Sequence, residues 1–140
     1  MADVFEPAKR SEVMSQIRSK DTKPELMVRR FLHSVGYRYS LHRVDLPGKP
    51  DIVMPGRRTI IQVRGCFWHG HGCWLAHRPD TRRDYWDPKI AATRKRDARN
   101  DRKLRDAGWR VITVWECKCR KASDFEKEMA RVEVLIRALA

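Results

Sequence analysis

The sequence has no apolar run long enough to cross a bilayer and no hydrophobic stretch behind Met1, so neither a membrane span nor a secretory leader is expected. It also lacks a lysine-faced amphipathic segment with a clean apolar stripe, which argues against an anionic membrane surface as partner. Acid is scarce: 18 Asp and Glu stand against 31 Lys and Arg, a formal net charge of +13. Such a surplus repels itself unless a polyanion is the working partner, and nucleic acid is the first candidate. Internal repeats, low-complexity tracts and linker-like shifts in composition are absent, so one domain over residues 1–140 is expected. With four cysteines and a cytoplasmic setting expected, metal ligation or free thiols are expected rather than disulfides.

What is present concentrates in Ile60 to Cys73. The stretch opens as a β-branched run suited to a buried strand, breaks at Gly65, and then crowds Cys66, Phe67, Trp68, His69, His71 and Cys73 between glycines. Cys66, His71 and Cys73 supply three corners of a tetrahedral zinc site, and Cys117 or Cys119 can bring the fourth. Four protein ligands leave no open position for water, so such an ion is structural.

Around this stretch the chain reads as helix, hairpin, helix, strand, helix. A short helix from Ser11 sets Val13, Met14 and Ile17 on one side, in a 1–20 segment that is otherwise polar and loose. Thr22-Lys23-Pro24-Glu25 is a capping box, which by itself makes Glu25 structural; the helix it opens stops at Gly36. A strand over 37–42 precedes the Leu46-Pro47-Gly48-Lys49-Pro50 loop, and 51–54 with 59–64 form a hairpin about Pro55-Gly56-Arg57-Arg58. Residues 74–87 read as a long loop mixing Trp74, Tyr85 and Trp86 with arginines. A helix is expected from Pro88 to Ala107, with seven basic and two acidic residues between Arg94 and Arg105 read as a phosphate-facing surface. A strand over 109–116 and an amphipathic helix over 123–139, with Phe125, Met129, Val132, Leu135 and Ile136 inward, close the chain. The expected fold is α/β, with a central mixed sheet of about four strands flanked by helices.

Asp51, at the mouth of the hairpin, and His69, outside the cysteine set, remain for reaction chemistry. Pro50-Asp51 followed by Gln62-Val63-Arg64 echoes the Pro-Asp, acid-x-Lys pattern of metal-dependent nucleases, with Gln62 in the place of the second acid and Arg64 in that of the lysine. A lone carboxylate holds Mg²⁺ weakly, so bound DNA has to complete the shell. An imidazole titrates near neutrality and suits a general base for water.

Taken together, Arg10-Ser11, Lys20 to Glu25, Leu46 to Asp51, Gly65 to Cys73, Gly108 to Val111 and Trp115-Glu116-Cys117 resemble the very-short-patch repair endonucleases. These enzymes nick DNA beside T:G mismatches left by deamination of 5-methylcytosine, and the resemblance covers nearly the whole chain. It implies a restriction-endonuclease-like fold, structural Zn²⁺ on Cys66, His71, Cys73 and Cys117, and catalytic Mg²⁺ on Asp51. It places the catalytic histidine on His69 and gives Glu25 a part in catalysis. It implies Phe67, Trp68 and Trp86 as wedges beside the mismatch, Met14 and Ile17 in the opposite groove, and Lys89, less so Thr93, in recognition. The family commonly has Thr-His where this chain has Val63-Arg64, so the metal would use the Val63 carbonyl.

The resulting expectation is a monomeric nicking enzyme acting on mismatched duplex, followed by downstream repair proteins. In it Asp51 holds Mg²⁺, His69 deprotonates water, Glu25 orients His69 and Arg64 steadies the phosphorane. The competing expectations are a zinc-stabilised DNA-binding protein that does not cut, motivated by Gln62 and Val63-Arg64, and a related nuclease of different mismatch or sequence preference.

Overall fold

The computed structural model describes residues 21–67, 69–73 and 82–138. Met14, Ile17, Trp68, Trp74 and the whole of the 1–20 segment therefore lie outside the described residues. The elements, in chain order, are α1 (Lys23–Ser34), β1 (Ser40–Leu41), β2 (Ile52–Met54), a 3-10 turn (Pro55–Arg57), β3 (Thr59–Arg64), α2 (Arg83–Asp106), β4 (Arg110–Trp115), a second 3-10 turn (Glu116–Cys119) and α3 (Ala122–Arg137).

The four strands form one mixed sheet in the order β1-β2-β3-β4, antiparallel except for the parallel β3–β4 pair, so the expected α/β architecture is present. Parallel neighbours require a crossover, and α2 makes it. Successive strand residues point to opposite faces, and here both faces are covered. Ile52, Met54, Ile61, Ile112 and Val114 pack with Val28 and Leu32 of α1 and Met129, Val132 and Ile136 of α3. Val53 and Ile60 pack with Leu104 of α2. Burial on both sides explains why Ile60 and Ile61 are consecutive apolar residues rather than alternating with polar ones, and why Thr59 and Gln62 beside them are buried too.

Several boundaries differ from the sequence reading. The first strand is two residues rather than six. Helix α2 starts at Arg83, five residues before Pro88, and absorbs part of the expected loop. Proline lacks an amide hydrogen, so Pro88 in the second turn forfeits one intrahelical bond, a loss offset by burial of Trp86 and Ile90 on the same turns. In α1 half of the capping box forms: the Glu25 amide donates to Thr22 Oγ1 at 3.4 Å. The Glu25 carboxylate turns into the protein instead, where Arg29 Nη1 and His42 Nε2 both lie 2.8 Å from its Oε2.

Candidate active and metal centres

The β3–β4 register sets Arg64 opposite Trp115, so the two parallel strands end side by side. Whatever leaves β3 and β4 at that edge must meet, and this places the 65–73 loop against the Glu116–Cys119 turn. The Cys66 amide donates to Glu116 Oε1 at 3.3 Å, and the His71 ring stacks on Trp115 at 4.1 Å between centroids, 9° from coplanar. The loop is also pressed onto α2. Gly70 has φ 63°, and a β-carbon there would come within 2.7 Å of Arg94 Cδ and 2.8 Å of Ile90 Cγ2, so only glycine fits.

This convergence gathers Cys66, His71, Cys73 and Cys117, whose ligand atoms all lie within 4.8 Å of one another. His71 Nδ1 is 3.7 Å from Cys117 Sγ, the edge length of a tetrahedron with ligands roughly 2.0–2.3 Å from its centre. The donor set, three sulfurs and one nitrogen, is compatible with a structural metal site. Burial pushes the Cys66 and Cys117 thiols above their ordinary range, so a cation is needed to hold them as thiolates. Of the two cysteines that the spacing allows, Cys117, the one that the resemblance implies, lies in this cluster, whereas Cys119 points into the core, 6% exposed, with its thiol toward the Trp115 carbonyl and pushed up to about 12 by burial.

Asp51 sits at the entrance of β2, next to the same strand edge. Its Oδ2 accepts the Val63 amide at 2.9 Å, and its own amide donates to Gln62 Oε1 at 3.2 Å. Gln62, in the place of the nuclease family's second acid, is thus a backbone anchor. The Asp51 carbonyl accepts the His42 amide at 3.0 Å, and His42 takes a left-handed φ of 46° to offer it. Burial pushes the Asp51 carboxyl up to about 6; the Val63 amide opposes this, while the Glu25 charge nearby adds to it. A carboxylate held where it is costly to ionise, with a second carboxylate close by, fits a hard divalent cation.

His69 leaves the loop toward α2, where its Nδ1 lies 2.5 Å from Asp97 Oδ2. The sequence reading gave the task of orienting His69 to Glu25. The residue that contacts His69 is Asp97, while Glu25 is occupied by Arg29 and His42. Arg64 follows Val63, the partner of Asp51. Its Nη2 donates to Asp101 Oδ1 at 2.8 Å, its Nη1 to Thr113 Oγ1 at 3.4 Å, and its Nε is 3.9 Å from Asp97 Oδ2. All three guanidinium nitrogens are thus engaged within the protein, which departs from the expectation of an arginine facing the phosphate. Asp51, Val63, Arg64, Asp97 and His69 form one continuous set of contacts.

Asp97 and Asp101 were counted in the sequence only as two acids among seven bases. The signal that reveals them is their phase: Ile90, Thr93, Asp97, Asp101 and Leu104 recur at helical spacing along the inward stripe of α2. Arg94, Lys95, Arg96, Arg99, Arg102, Lys103 and Arg105 all face outward. Among the expected recognition residues, Trp86 is 4% exposed, packed edge-to-face against Phe67 at 5.3 Å and beside Ile90. It is a core residue of this conformation rather than a presented wedge. Phe67 is half-buried against it. Lys89 is exposed, its ammonium 4.7 Å from the Tyr85 ring centroid, while Thr93 is buried and donates to the Lys89 carbonyl.

Comparison with known proteins converges on one group. Residues 2–75 match the family model described as DNA mismatch endonuclease Vsr. The chain is 50% identical over 132 residues to the type II nicking enzyme V.XorIIP of Xanthomonas oryzae pv. oryzae, covering 94% of this chain and 97% of that one. It is 41% identical over 120 residues to the DNA mismatch endonuclease Vsr of Escherichia coli, covering 86% and 77% respectively. It is also 41% identical over 132 residues to the type II nicking enzyme V.NmeAIP of Neisseria meningitidis, covering 94% of each.

Proposed function

The chain belongs to the Vsr family of DNA endonucleases, and on that premise we propose that it is a Mg²⁺-dependent enzyme that nicks one strand of duplex DNA beside a T:G mismatch. The observation that carries this reading is the convergence, at one end of β3, of Asp51 on the Val63 amide and of His69 on Asp97. With its Nδ1 turned to Asp97, the His69 ring leaves Nε2 to take the proton of the attacking water. Asp51 and the Val63 carbonyl would be the oxygen donors to Mg²⁺, with the Glu25 charge nearby adding to the pull on a cation. A Mg²⁺ ion held there would supply Lewis-acid polarisation of the scissile phosphate. Zn²⁺ on Cys66, His71, Cys73 and Cys117 fastens the loop that carries His69 to the end of β4.

The outward bases of α2 grip phosphates without reading sequence, and Lys89 lies at the start of that face. Phe67 and Trp68, with Met14 and Ile17 from the other groove, open the base stack; Trp86 joins them only by leaving its packed cluster. Unstacking costs a few kcal/mol and least at a mispair, so wedging itself selects flawed duplex. The enzyme acts as a monomer in the cytoplasm, on mismatches produced by deamination of 5-methylcytosine, and repair proteins complete the patch. Incubation with Mg²⁺ and duplexes carrying T:G, other mispairs or no mispair tests the reading. A nick confined to T:G supports it. Cleavage of other substrates corrects the specificity, and tight binding without product replaces the enzyme with a DNA-binding protein.

A further inference from the structure

Asp101 is a carboxylate that no step of the proposed reaction uses. It is 7% exposed, on the inward stripe of α2 one turn beyond Asp97, and its described partner is Arg64 Nη2 at 2.8 Å. Buried charges are retained where they are paired, and removing one member of such a pair strands the other. The pair adjoins the His69–Asp97 contact through Arg64. The same oxygen, Asp97 Oδ2, meets His69 Nδ1 at 2.5 Å and Arg64 Nε at 3.9 Å. Thr113 Oγ1 of β4, 3.4 Å from Nη1, fixes the third corner of the guanidinium plane.

We propose that Arg64 and Asp101 are positioning residues, a buried ion pair whose task is to hold the Asp97 carboxylate on His69. The reading rests on the nicking activity proposed above and assigns Arg64 a place inside the protein in that reaction. Asp101 takes the near end of the guanidinium in a direct bond. Arg64 is thereby kept at charge-contact distance from Asp97 and does not displace His69 from Oδ2. A planar fork meets these partners from one rigid group, which a lysine ammonium does not reproduce. Without Asp101 the guanidinium loses its anchor and closes onto Asp97, in direct competition with His69.

Three proteins test this: wild type, Asp101→Asn, and the double variant Arg64→Met with Asp101→Leu, which replaces the pair by apolar side chains of similar size. For Asp101→Asn we expect kcat for T:G nicking to fall roughly tenfold to hundredfold with KM for the duplex within about twofold. For the double variant we expect a melting temperature near wild type and a rate still at least about tenfold low. In both, the His69 Nδ1 proton resonance moves from its wild-type position in the metal-loaded, DNA-free protein. A wild-type rate in either variant overturns the proposal, because a pair that served folding alone would be dispensable once replaced. Tighter duplex binding by Asp101→Asn also overturns it, since Arg64 would then be a phosphate ligand that Asp101 had restrained. The resonance separates the two claims: if wild type nicks nothing while the His69 signal still depends on Asp101, the proposed reaction fails and the positioning stands.

Discussion

Asp97 Oδ2 and His69 Nδ1 lie 2.5 Å apart, joining the long crossover helix to a glycine-rich loop 28 residues earlier in the chain. The contact fixes which imidazole nitrogen is free, and so which nitrogen can meet a water molecule. Asp97→Asn keeps the shape and removes the charge. We expect T:G nicking to drop by roughly 10²-fold or more under single-turnover conditions with the melting temperature little changed. An unaltered rate would remove Asp97 from the proposed centre.

The metal cluster distinguishes two cysteines two residues apart. Cys117→Ser should lose the bound metal and much of the stability it supplies, on the order of 10 kcal/mol for a structural zinc. Cys119→Ser should keep full metal content, at a cost of about 1–3 kcal/mol for placing a hydroxyl in the core. Metal analysis and thermal melts of both variants check this, and metal loss by Cys119→Ser instead would contradict the assignment.

Asp51 carries a pH dependence with a definite sign. Below about pH 4 it is protonated in both folded and unfolded chains, and its contribution to stability is fully present. As pH rises through about 6 the folded protein has to ionise a buried carboxyl that the unfolded chain has already ionised, and that contribution is lost. Asp51→Asn should therefore abolish nicking yet stabilise the metal-free active centre by roughly 2–3 kcal/mol at neutral pH, the gain fading toward pH 4. Urea melts at several pH values in the absence of Mg²⁺ measure it. A gain independent of pH would show that the effect is not ionisation.

Trp86 is expected to act on stability before it acts on DNA. Trp86→Ala opens a cavity against Phe67 and Ile90 and should cost about 3–5 kcal/mol in equilibrium unfolding. A neutral substitution would mean that the ring spends its time outside the cluster, as a presented wedge would.

The parts of the fold that the sequence made legible are those where local chemistry and tertiary context agree. Thr59 to Val63 is β-branched at every position but Gln62 and sits between two layers of helix; the turn at Pro55 and Gly56 sets its hairpin. The cysteine-histidine loop was legible because glycines and soft ligands at that spacing serve little else. Spacing alone does not choose between Cys117 and Cys119, since that depends on how a 3-10 turn faces the core; the family resemblance is what singles out Cys117. Helix α2 begins ahead of the start that Pro88 signals in the sequence, because a proline in the second turn forfeits a single bond. Asp97 and Asp101 are hidden by the same helix's basic surface: as charges they are two acids among seven bases, and only their phase with Ile90 and Leu104 turns them inward. Glu25 satisfied a capping motif so well that its carboxylate's turn toward His42 had no local sign.

The claim on which the rest depends is that Asp51 and His69 serve one reacting phosphate. Single-turnover nicking of a T:G duplex by Asp51→Ala, His69→Ala and the double variant measures it directly. Residues acting as a unit lose most of their effect together, so the double variant should be no slower than the worse single variant within a few fold. Rate losses that multiply would mean two independent contributions, and the shared centre would be contradicted.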